Sequence, residues 1–226
     1  MLITSFNHVI WDFDGTILPF DSEQVLLRSL LQNPGRKTGI VKALLGRVFA
    51  WADRQGYAEN SFKRLYAFCL RGLSVKELDI QAKESARHIS DEDRRAIRAI
   101  HDLGKRMAII SCGTGDLSQR ILKAAGLWDC FDRVEANWFR FRDNQIEGID
   151  VRIHLPGDKV QAAIRLGIPL RQAIAIGDGM TDIPLLDQAG KAILVDRSGR
   201  KAGLVAAHGY RVARSLAEVA RWLEGL

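Results

Sequence analysis

Two aspartates, Asp12 and Asp14, stand one residue apart at the end of a short apolar run, residues 9–11, and Gly15 follows them. The run predicts a buried strand, and because side chains alternate along a strand, both carboxylates point the same way where that geometry persists. Open α/β sheets bind ligands at the carboxyl ends of such strands. Two carboxylates this close repel unless a cation lies beside them, and Mg2+ prefers carboxylate oxygens. The pattern indicates a metal site, with an ordinary Asp-Gly turn as the alternative.

A second acidic pair, Asp178 and Asp182, follows another apolar run at residues 173–177. The carboxyl ends of parallel strands meet at one edge of a sheet, so this pair is expected to lie near the first. Asp178 would then complete the metal site. Asp182 would orient a metal-bound water or Lys159 from just outside the site.

Two further stretches carry groups that can bind phosphate. Ser111 ends the apolar run 107–111 and can donate to a phosphate oxygen, together with nearby backbone N–H groups; the alternative is a plain strand-to-helix loop in which Asp116 caps a helix. Asp158 is expected to cap a second helix, which puts Lys159 in its first turn, where a cation is unfavourable unless an anion lies nearby. A solvated surface lysine is the alternative. Cys112 is expected to be a small buried side chain and not a nucleophile.

The elements that position these groups fall into two blocks. Residues 21–88 show only helical periodicity, with helices near 21–32, 38–52, 61–70 and 74–88, the last beginning with a capping box at Ser74. After about residue 90, helices alternate with strands, and residues 138–151 suggest a hairpin that turns at 143–144. This order predicts an α/β fold with a parallel sheet. We expect residues 1–20 and 89–226 to form the core and residues 21–88 a helical cap.

The composition is that of a globular protein, with 226 residues, 47% hydrophobic and 27% charged. Three widely spaced cysteines without a CxxC pattern favour a reducing compartment, so we expect a cytoplasmic protein. No signal-peptide pattern and no apolar run of membrane-spanning length are present. Residues 44–51 are amphipathic and would suit a membrane surface, but such a segment more often faces a protein core.

The net charge of +6 is concentrated in the predicted cap. Residues 22–90 contain twelve Lys or Arg and six Asp or Glu, which equals the whole excess. The simplest interpretation is a solvated helical surface, and the functional one is a field that attracts an anionic substrate. No dense basic run or binding motif supports nucleic acid as a partner.

Taken together, these stretches resemble the four motifs of the haloacid dehalogenase superfamily, in chain order Asp12-x-Asp14-Gly-Thr16, Ser111, Lys159 and Gly177-Asp178-Gly-x-x-Asp182. The Gly-Asp-Lys and Gly-Asp-Gly patterns and the helical insert are similar to the phosphoserine-phosphatase-like branch with a type 1 cap. The resemblance implies a Rossmann-like sheet with a lid and Mg2+-dependent hydrolysis of a small phosphomonoester.

The resemblance also implies a role for each motif residue. Asp12 would attack phosphorus and form an aspartyl-phosphate, while Asp14 would act as general acid and then as base. Ser111 and Lys159 would hold the phosphoryl oxygens. Mg2+ would be bound by Asp12, the Asp14 backbone carbonyl and Asp178, with Asp182 in support. The expected substrate-binding residues are Thr16, Asp21, Cys112, Gly113 and Thr181.

Departures from the branch leave the substrate open. Thr181 stands where phosphoserine phosphatases usually have Asn, Cys112 replaces a glycine, and Asp21 is the nearest match to their cap-side acid. Phosphoserine, phospholipid phosphates and sulfur-containing enol phosphates are all candidates. Two other functions also remain: transfer of the phosphoryl group to an acceptor alcohol, and phosphate binding by a catalytically silent regulatory protein. The oligomeric state is not predicted.

Overall fold

A computed structural model describes residues 6–31 and 61–225 of the chain. The predicted helix at residues 38–52 and the amphipathic segment 44–51 lie outside these ranges. The described strands are β1 (His8–Trp11), β2 (Arg106–Thr114), β3 (Arg133–Arg142), β4 (Gln145–Asp150), β5 (Ala173–Gly177), β6 (Lys191–Val195) and β7 (Arg211–Ala213). The described α-helices are α1 (Ser22–Leu31), α2 (Ser61–Leu70), α3 (Val75–Ala86), α4 (Asp91–Asp102), α5 (Gly115–Ala125), α6 (Pro156–Arg165), α7 (Ile183–Gln188), α8 (Ala202–His208) and α9 (Leu216–Glu224).

The seven strands form one sheet in the order β4-β3-β2-β1-β5-β6-β7. All neighbouring pairs are parallel except β3 and β4, which form an antiparallel hairpin. β1 lies in the middle and pairs with β2 on one side and β5 on the other. The strands that lead to Asp12, Ser111 and Asp178 are therefore adjacent, and the predicted α/β class with a largely parallel sheet is confirmed.

Helices cover both faces of the sheet because the central strands are apolar on both faces. Val9 and Trp11 pack in one hydrophobic cluster with residues of α3, α4, α5 and α9, whereas Ile10 packs in a second cluster with residues of α6 and α7. All three side chains are fully buried. A strand buried on both faces is typical of a parallel sheet, and it explains the continuous apolar run in the sequence.

The helices of the predicted cap share the first cluster with the sheet. Tyr66 of α2 and Leu78 of α3 belong to the same buried cluster as Trp11. Tyr66 also stacks on Phe139 of β3, with ring centroids 6.0 Å apart. Within the described residues, α2 and α3 thus pack directly on the core. The division into a core (1–20 and 89–226) and a cap (21–88) remains a prediction.

The connection between α2 and α3 runs along the outer edge of β4. The Gly72 N–H donates to the Ile146 carbonyl at 2.9 Å, and the Ile146 N–H donates to the Leu73 carbonyl at 2.8 Å. The Val75 N–H donates to the Asn144 carbonyl at 2.9 Å. Backbone hydrogen bonds therefore join this connection to the hairpin strand.

The hairpin turn lies where the sequence predicts it. Asp143 and Asn144 have φ values of +48° and +58°, the left-handed conformation that both central residues of a tight hairpin turn adopt. The strand that leads into the turn is longer than expected. β3 begins at Arg133, before the hairpin predicted at 138–151, and runs without a break to Arg142.

Both predicted aspartate caps are wrong. α5 begins one residue before Asp116, whose carboxylate instead accepts the Phe139 N–H of β3 at 2.6 Å. α6 begins at Pro156, and Asp158 lies in its first turn, where it accepts the His154 and Leu155 N–H groups at 2.8 and 2.9 Å. Each carboxylate still accepts backbone N–H groups near the start of a helix. Asp158 does so from the third position of α6, and Asp116 accepts an N–H group of the neighbouring strand β3.

β2 also runs further than predicted, through Ser111 to Thr114. Its register with β3 shifts between Ile110 and Thr114, which is a bulge in the parallel pairing. Bulges re-aim side chains next to functional sites. Among the described helices, none is long and apolar enough to cross a membrane.

Asn137 of β3 is a fully buried polar residue that joins the β2 bulge to the segment before α6. Its Oδ1 accepts the Arg152 and Ile153 N–H groups at 2.8 and 3.0 Å. Its Nδ2 donates to the carbonyls of Cys112 and Ile153 at 2.8 and 3.0 Å. One amide side chain thus satisfies four backbone groups. Two of them belong to Ile153, which is fully buried, so water cannot replace the lost hydrogen bonds there.

We expect Asn137→Ala to lower the free energy of unfolding by about 2–5 kcal/mol, because buried backbone groups lose their hydrogen bonds. Chemical denaturation measures the change. Arg133→Ala, at an exposed position of the same strand, is the control and should stay within about 0.5 kcal/mol of wild type. Equal midpoints for the two variants would contradict this role of Asn137.

Candidate active site

A cavity of about 670 Å³ opens at the carboxyl ends of β1, β2 and β5. This is the edge of an open α/β sheet at which ligands bind. Most of the predicted site residues line it, namely Asp12, Asp14, Asp21, Ser111, Cys112, Gly113, Lys159, Asp178 and Thr181. The other two, Thr16 and Asp182, are buried behind the wall with almost no exposure and do not line the cavity.

Lys159 lies between two aspartates and is completely buried. Its Nζ is 2.7 Å from Asp12 Oδ1 and 2.5 Å from Asp182 Oδ1. The lysine is therefore not the solvated surface residue that was the alternative. Its partners are carboxylates of the two acidic motifs, so one ammonium group joins β1, α6 and the loop after β5.

Burial and charge act in opposite directions on this group. Burial lowers the pKa of Lys159, but the carboxylates of Asp12 and Asp182 outweigh that effect and hold the pKa well above its usual value. Burial raises the pKa of Asp12 to about 7, and the charge of Asp182 adds to the shift while Lys159 opposes it. The ammonium is thus the charge that allows Asp12 to ionise here.

Asp182 supports the site from behind. Its Oδ1 accepts from Lys159, and its Oδ2 accepts the N–H groups of Asp178 and Gly179 at 2.9 and 3.0 Å. A Cβ on Gly177 would lie 2.4 Å from the Asp182 carboxylate, so only glycine leaves room for that approach. Since both oxygens are already bonded, Asp182 holds Lys159 and the Asp178 loop in place.

Asp14 has surroundings that suit a proton donor. Ser22, the first residue of α1, donates its N–H to Asp14 Oδ1 at 3.0 Å and its hydroxyl to Oδ2 at 3.1 Å. Burial raises the pKa of Asp14 well above its usual value, and the nearby Asp21 raises it further, against the hydrogen bond from Ser22. A carboxyl whose surroundings favour its protonated form can act as a general acid.

Three carboxylates could hold a metal ion. Oxygens of Asp12, Asp178 and Asp182 all lie within 4.8 Å of one another. The loop between the motifs permits this because Gly15 has φ +80°, and a Cβ there would lie 2.5 Å from the Asp178 carboxylate. With both Asp182 oxygens bonded, the donor set that fits a hard divalent cation is Asp12 and Asp178.

Ser111 and Gly113 lie beside the two aspartates of the first motif. The Gly113 N–H donates to Ser111 Oγ at 3.1 Å. A Cβ on Gly113 would lie 2.8 Å from Asp14 Oδ2 and 3.3 Å from Ser111 Oγ, so a larger residue would have to displace the Asp14 carboxylate. Cys112 is only partly buried at the cavity wall, and the expectation of a buried side chain is wrong in that respect. Burial still raises the pKa of its thiol, which favours the neutral form over a nucleophilic thiolate.

Several residues at the site have no distinct signal in the sequence. Glu23 and Lys63 line the cavity and form an ion pair of 2.5 Å between α1 and α2. In the sequence, these two residues are one acid and one base among the many charged residues of the predicted cap, and nothing there pairs them. Lys201 donates to Asp178 Oδ2 at 2.6 Å, and nothing in its local sequence marks it.

Arg197 is another residue without a local signal. Its guanidinium donates to Asp93 Oδ2 at 3.1 Å and to the Thr16 carbonyl at 3.1 Å. Thr16 leads from the first motif into the helical insert, and Asp93 lies just after the chain returns from it. Arg197 therefore links the two chain segments that connect the predicted cap, residues 21–88, to the sheet.

Comparisons with known proteins agree with this geometry. Residues 9–187 match the haloacid dehalogenase-like hydrolase family, and residues 158–218 match a second family model of the same description. A phosphoserine phosphatase of Polaromonas sp. (strain JS666 / ATCC BAA-500) is 23% identical over 200 residues, which cover 84% of this chain and 79% of that protein.

Solved structures share the fold. A protein of unknown function from Bordetella pertussis Tohama I superposes with a TM-score of 0.71 at 20% identity, covering 91% of this chain and 96% of that one. A substrate-bound phosphoserine phosphatase complex has a TM-score of 0.70 at 18% identity, covering 96% and 97%. At these identities the likeness shows the fold alone.

We expect Lys159→Met to lower the free energy of unfolding by about 3–5 kcal/mol near pH 7.5 without divalent metal, because two buried carboxylates lose their ammonium partner. An aspartate whose folded pKa lies above its unfolded value reduces stability at high pH, and the cost is relieved as pH falls through the folded pKa. The deficit should therefore shrink between about pH 8 and pH 5.

Denaturant midpoints across that pH range test the expectation. Lys83→Met, which removes an exposed lysine of α3, is the matched control. A deficit that is the same at all pH values, or no larger than that of Lys83→Met, would refute the ion-pair role of Lys159.

Proposed function

The chain belongs to the haloacid dehalogenase-like hydrolase family as a phosphatase, and on that premise we propose that it hydrolyses a small phosphomonoester through a phosphorylated Asp12, with Mg2+ bound in the same site. One observation carries the proposal. Asp12 and Asp14 line one cavity, Asp12 next to a buried ammonium and Asp14 in surroundings that favour its protonated form. A nucleophile beside a cation and a proton donor whose surroundings favour its protonated form thereby line the same cavity.

In the first step, an Asp12 oxygen forms a bond to phosphorus as the bond to the substrate alcohol breaks. We assign the attack to Oδ2, the oxygen that Lys159 does not hold. Asp14 gives its proton to the leaving alcohol oxygen. In the second step, Asp14 takes a proton from water as the water attacks phosphorus, and inorganic phosphate leaves Asp12.

Ser111 and Lys159 would bind the phosphoryl oxygens. Lys159 supplies a permanent charge in a water-poor site, where preorganised electrostatics contribute most to catalysis. Asp182 keeps that ammonium in position through its Oδ1. Thr181, Cys112 and Gly113 lie along the same cavity and would contact the substrate; Thr16 would act from behind the wall.

Mg2+ would be held by Asp12, Asp178 and the backbone carbonyl of Asp14. When bound, it would neutralise charge that develops on the phosphoryl group. The carboxylate donors of the site are those that Mg2+ prefers. The excess of acidic groups around Asp12 supports the need for a cation.

We propose that residues 21–88 act as the cap over this site, with Asp21 and the basic surface facing an anionic substrate. A cytoplasmic location is proposed because the three cysteines form no disulfide bonds with one another.

The proposal is tested by phosphate release from an aryl phosphate, phosphoserine, phosphocholine, sugar phosphates and a lipid phosphate, each with Mg2+ and with EDTA. We expect metal-dependent release, and Asp12→Asn should reduce it by about 10³-fold or more, because the amide is a poor nucleophile. Asp129→Asn, distant in sequence and outside the cavity lining, is the control. Undiminished turnover by Asp12→Asn would refute the assigned nucleophile.

The same assay separates the two other functions. A phosphotransferase would yield a new phosphoester, and less free phosphate, when an acceptor alcohol is added. A silent binding protein would release no phosphate from any compound while still binding inorganic phosphate. Either result would replace the hydrolase assignment.

Asp14→Asn provides a test of the proton donor. An aryl leaving group needs little protonation, so we expect the variant to release about one equivalent of phenol in a burst and then stall, because no base activates water. For an alkyl phosphate the first step itself should slow by about 10²–10⁴-fold. Rapid-quench kinetics measure both phases. Equal slowing of aryl and alkyl substrates would contradict the role of Asp14.

A further inference from the structure

Lys201 contacts one of the carboxylates proposed to hold the metal ion, and no step of the proposed mechanism involves it. Its Nζ lies 2.6 Å from Asp178 Oδ2, and the two side chains are 24% and 26% exposed. The same Nζ donates to the Val195 carbonyl at 3.1 Å. Two acceptors, one of them on the backbone at the end of β6, therefore define the position of this ammonium group.

The lysine approaches Asp178 from outside the cavity. In the sheet, β5 lies between β1 and β6. Asp12 follows β1, Asp178 follows β5, and Lys201 is bonded to the last residue of β6. Asp12 and Asp178 line the cavity, whereas Lys201 does not. The ammonium therefore lies on the side of Asp178 that faces away from Asp12, and it leaves the space between the two carboxylates to a cation.

The loop that carries Lys201 is fixed by the buried carboxylate of Asp196. Asp196 Oδ2 accepts the Lys201 N–H at 3.0 Å, and Oδ1 accepts the Arg200 N–H at 3.1 Å and the Ser198 hydroxyl at 3.0 Å. Arg214 donates to the Asp196 carbonyl at 3.2 Å. Both the backbone and the side chain of Lys201 are thus held, so its contact with Asp178 is preorganised.

Asp178 is restrained from two directions as a result. Lys201 holds Oδ2, and Gly15 lies so close that a Cβ there would be 2.5 Å from both oxygens of the carboxylate. The carboxylate can turn only by breaking the bond to Lys201. That bond commits one oxygen and leaves Oδ1 for a cation.

Mg2+ and Ca2+ make different demands on such a carboxylate. Mg2+ requires a near-ideal octahedron with short bonds, and it keeps several water molecules. Ca2+ accepts up to about eight oxygens, and it binds carboxylates through one oxygen or through both. A carboxylate whose second oxygen is bonded to an ammonium can supply both oxygens to Ca2+ only by giving up that bond.

We propose that Lys201 is a positioning residue that limits Asp178 to one coordinating oxygen and thereby makes the site select Mg2+ over Ca2+. Lys201 contacts neither the ion nor the substrate and acts through Asp178. The inference rests on the metal site of the proposed function and adds the residue that determines which ion this site accepts.

Titration calorimetry of the full chain freed of metal, with Mg2+ and Ca2+ in separate runs, measures the ratio of the two dissociation constants. We expect wild type to bind Mg2+ more tightly by about tenfold or more. Lys201→Met removes a charge that acts on both ions alike, but it frees an oxygen that only Ca2+ uses. The ratio should therefore shift toward Ca2+ by about tenfold.

Two further variants separate the hydrogen bond from the charge. Arg200→Met removes a positive charge from the exposed neighbouring position and should leave the ratio unchanged. Lys201→Arg keeps a charged donor for Asp178 Oδ2 and should retain most of the preference for Mg2+. Inhibition of Mg2+-dependent aryl phosphate hydrolysis by Ca2+ gives a second readout, and it should strengthen in Lys201→Met but not in Arg200→Met.

The outcomes are distinct. If wild type binds Ca2+ as tightly as Mg2+, or if Lys201→Met and Arg200→Met give equal ratios, the inference is wrong, while phosphate release still supports the proposed function. Binding of neither ion would overturn the proposed metal site and this inference with it. The expected ratios without phosphate release from any ester would support the inference and refute the hydrolase function. The wild-type ratio does not depend on whether any variant folds.

Discussion

The ammonium group of Lys159 is the charge on which the arrangement of the site depends. Four aspartates of two motifs lie close together behind and along one cavity, and without a buried cation they would repel one another or take up protons. Lys159 joins two of them directly. A buried ion pair is weak support for stability by itself, but here its geometry fixes three separate chain segments relative to one another. The chemistry proposed for Asp12 requires that same arrangement.

The sheet makes this contact possible. β1 lies between β2 and β5, so the segments after these strands begin side by side. Glycines then allow the closest approaches: Gly15 and Gly177 lie where a Cβ would overlap an aspartate carboxylate. Asn137 and Arg197 act at greater distance, the first by holding the β2 bulge and the second by holding the base of the insert. The acidic groups are thus positioned by backbone geometry as much as by side-chain pairing.

Much of this could be predicted from sequence because the motifs are local. Apolar runs that end in Asp12 and Asp178 indicated adjacent buried strands, and the family and enzyme class inferred from four motifs are confirmed. The predicted roles of the individual site residues remain predictions. Predictions failed where a side chain had a choice of backbone partners: Asp116 bonds to β3, and Asp158 acts from within the first turn of its helix. Glu23 and Lys63 could not be paired in advance, because two charges on different amphipathic helices carry no sign of which surface they share.

The backbone bonds between the α2–α3 connection and β4 have a consequence for the protein in concentrated solution. An open edge strand exposes unpaired N–H and C=O groups that can recruit a strand from another molecule. Here residues 72–75 cover the outer edge of β4, and the opposite edge is β7, which is only three residues long. The short connection between α2 and α3 therefore covers this edge of the sheet, as closure of the sheet does in a barrel. Loosening this connection would expose the unpaired backbone groups of β4 to strands of other molecules.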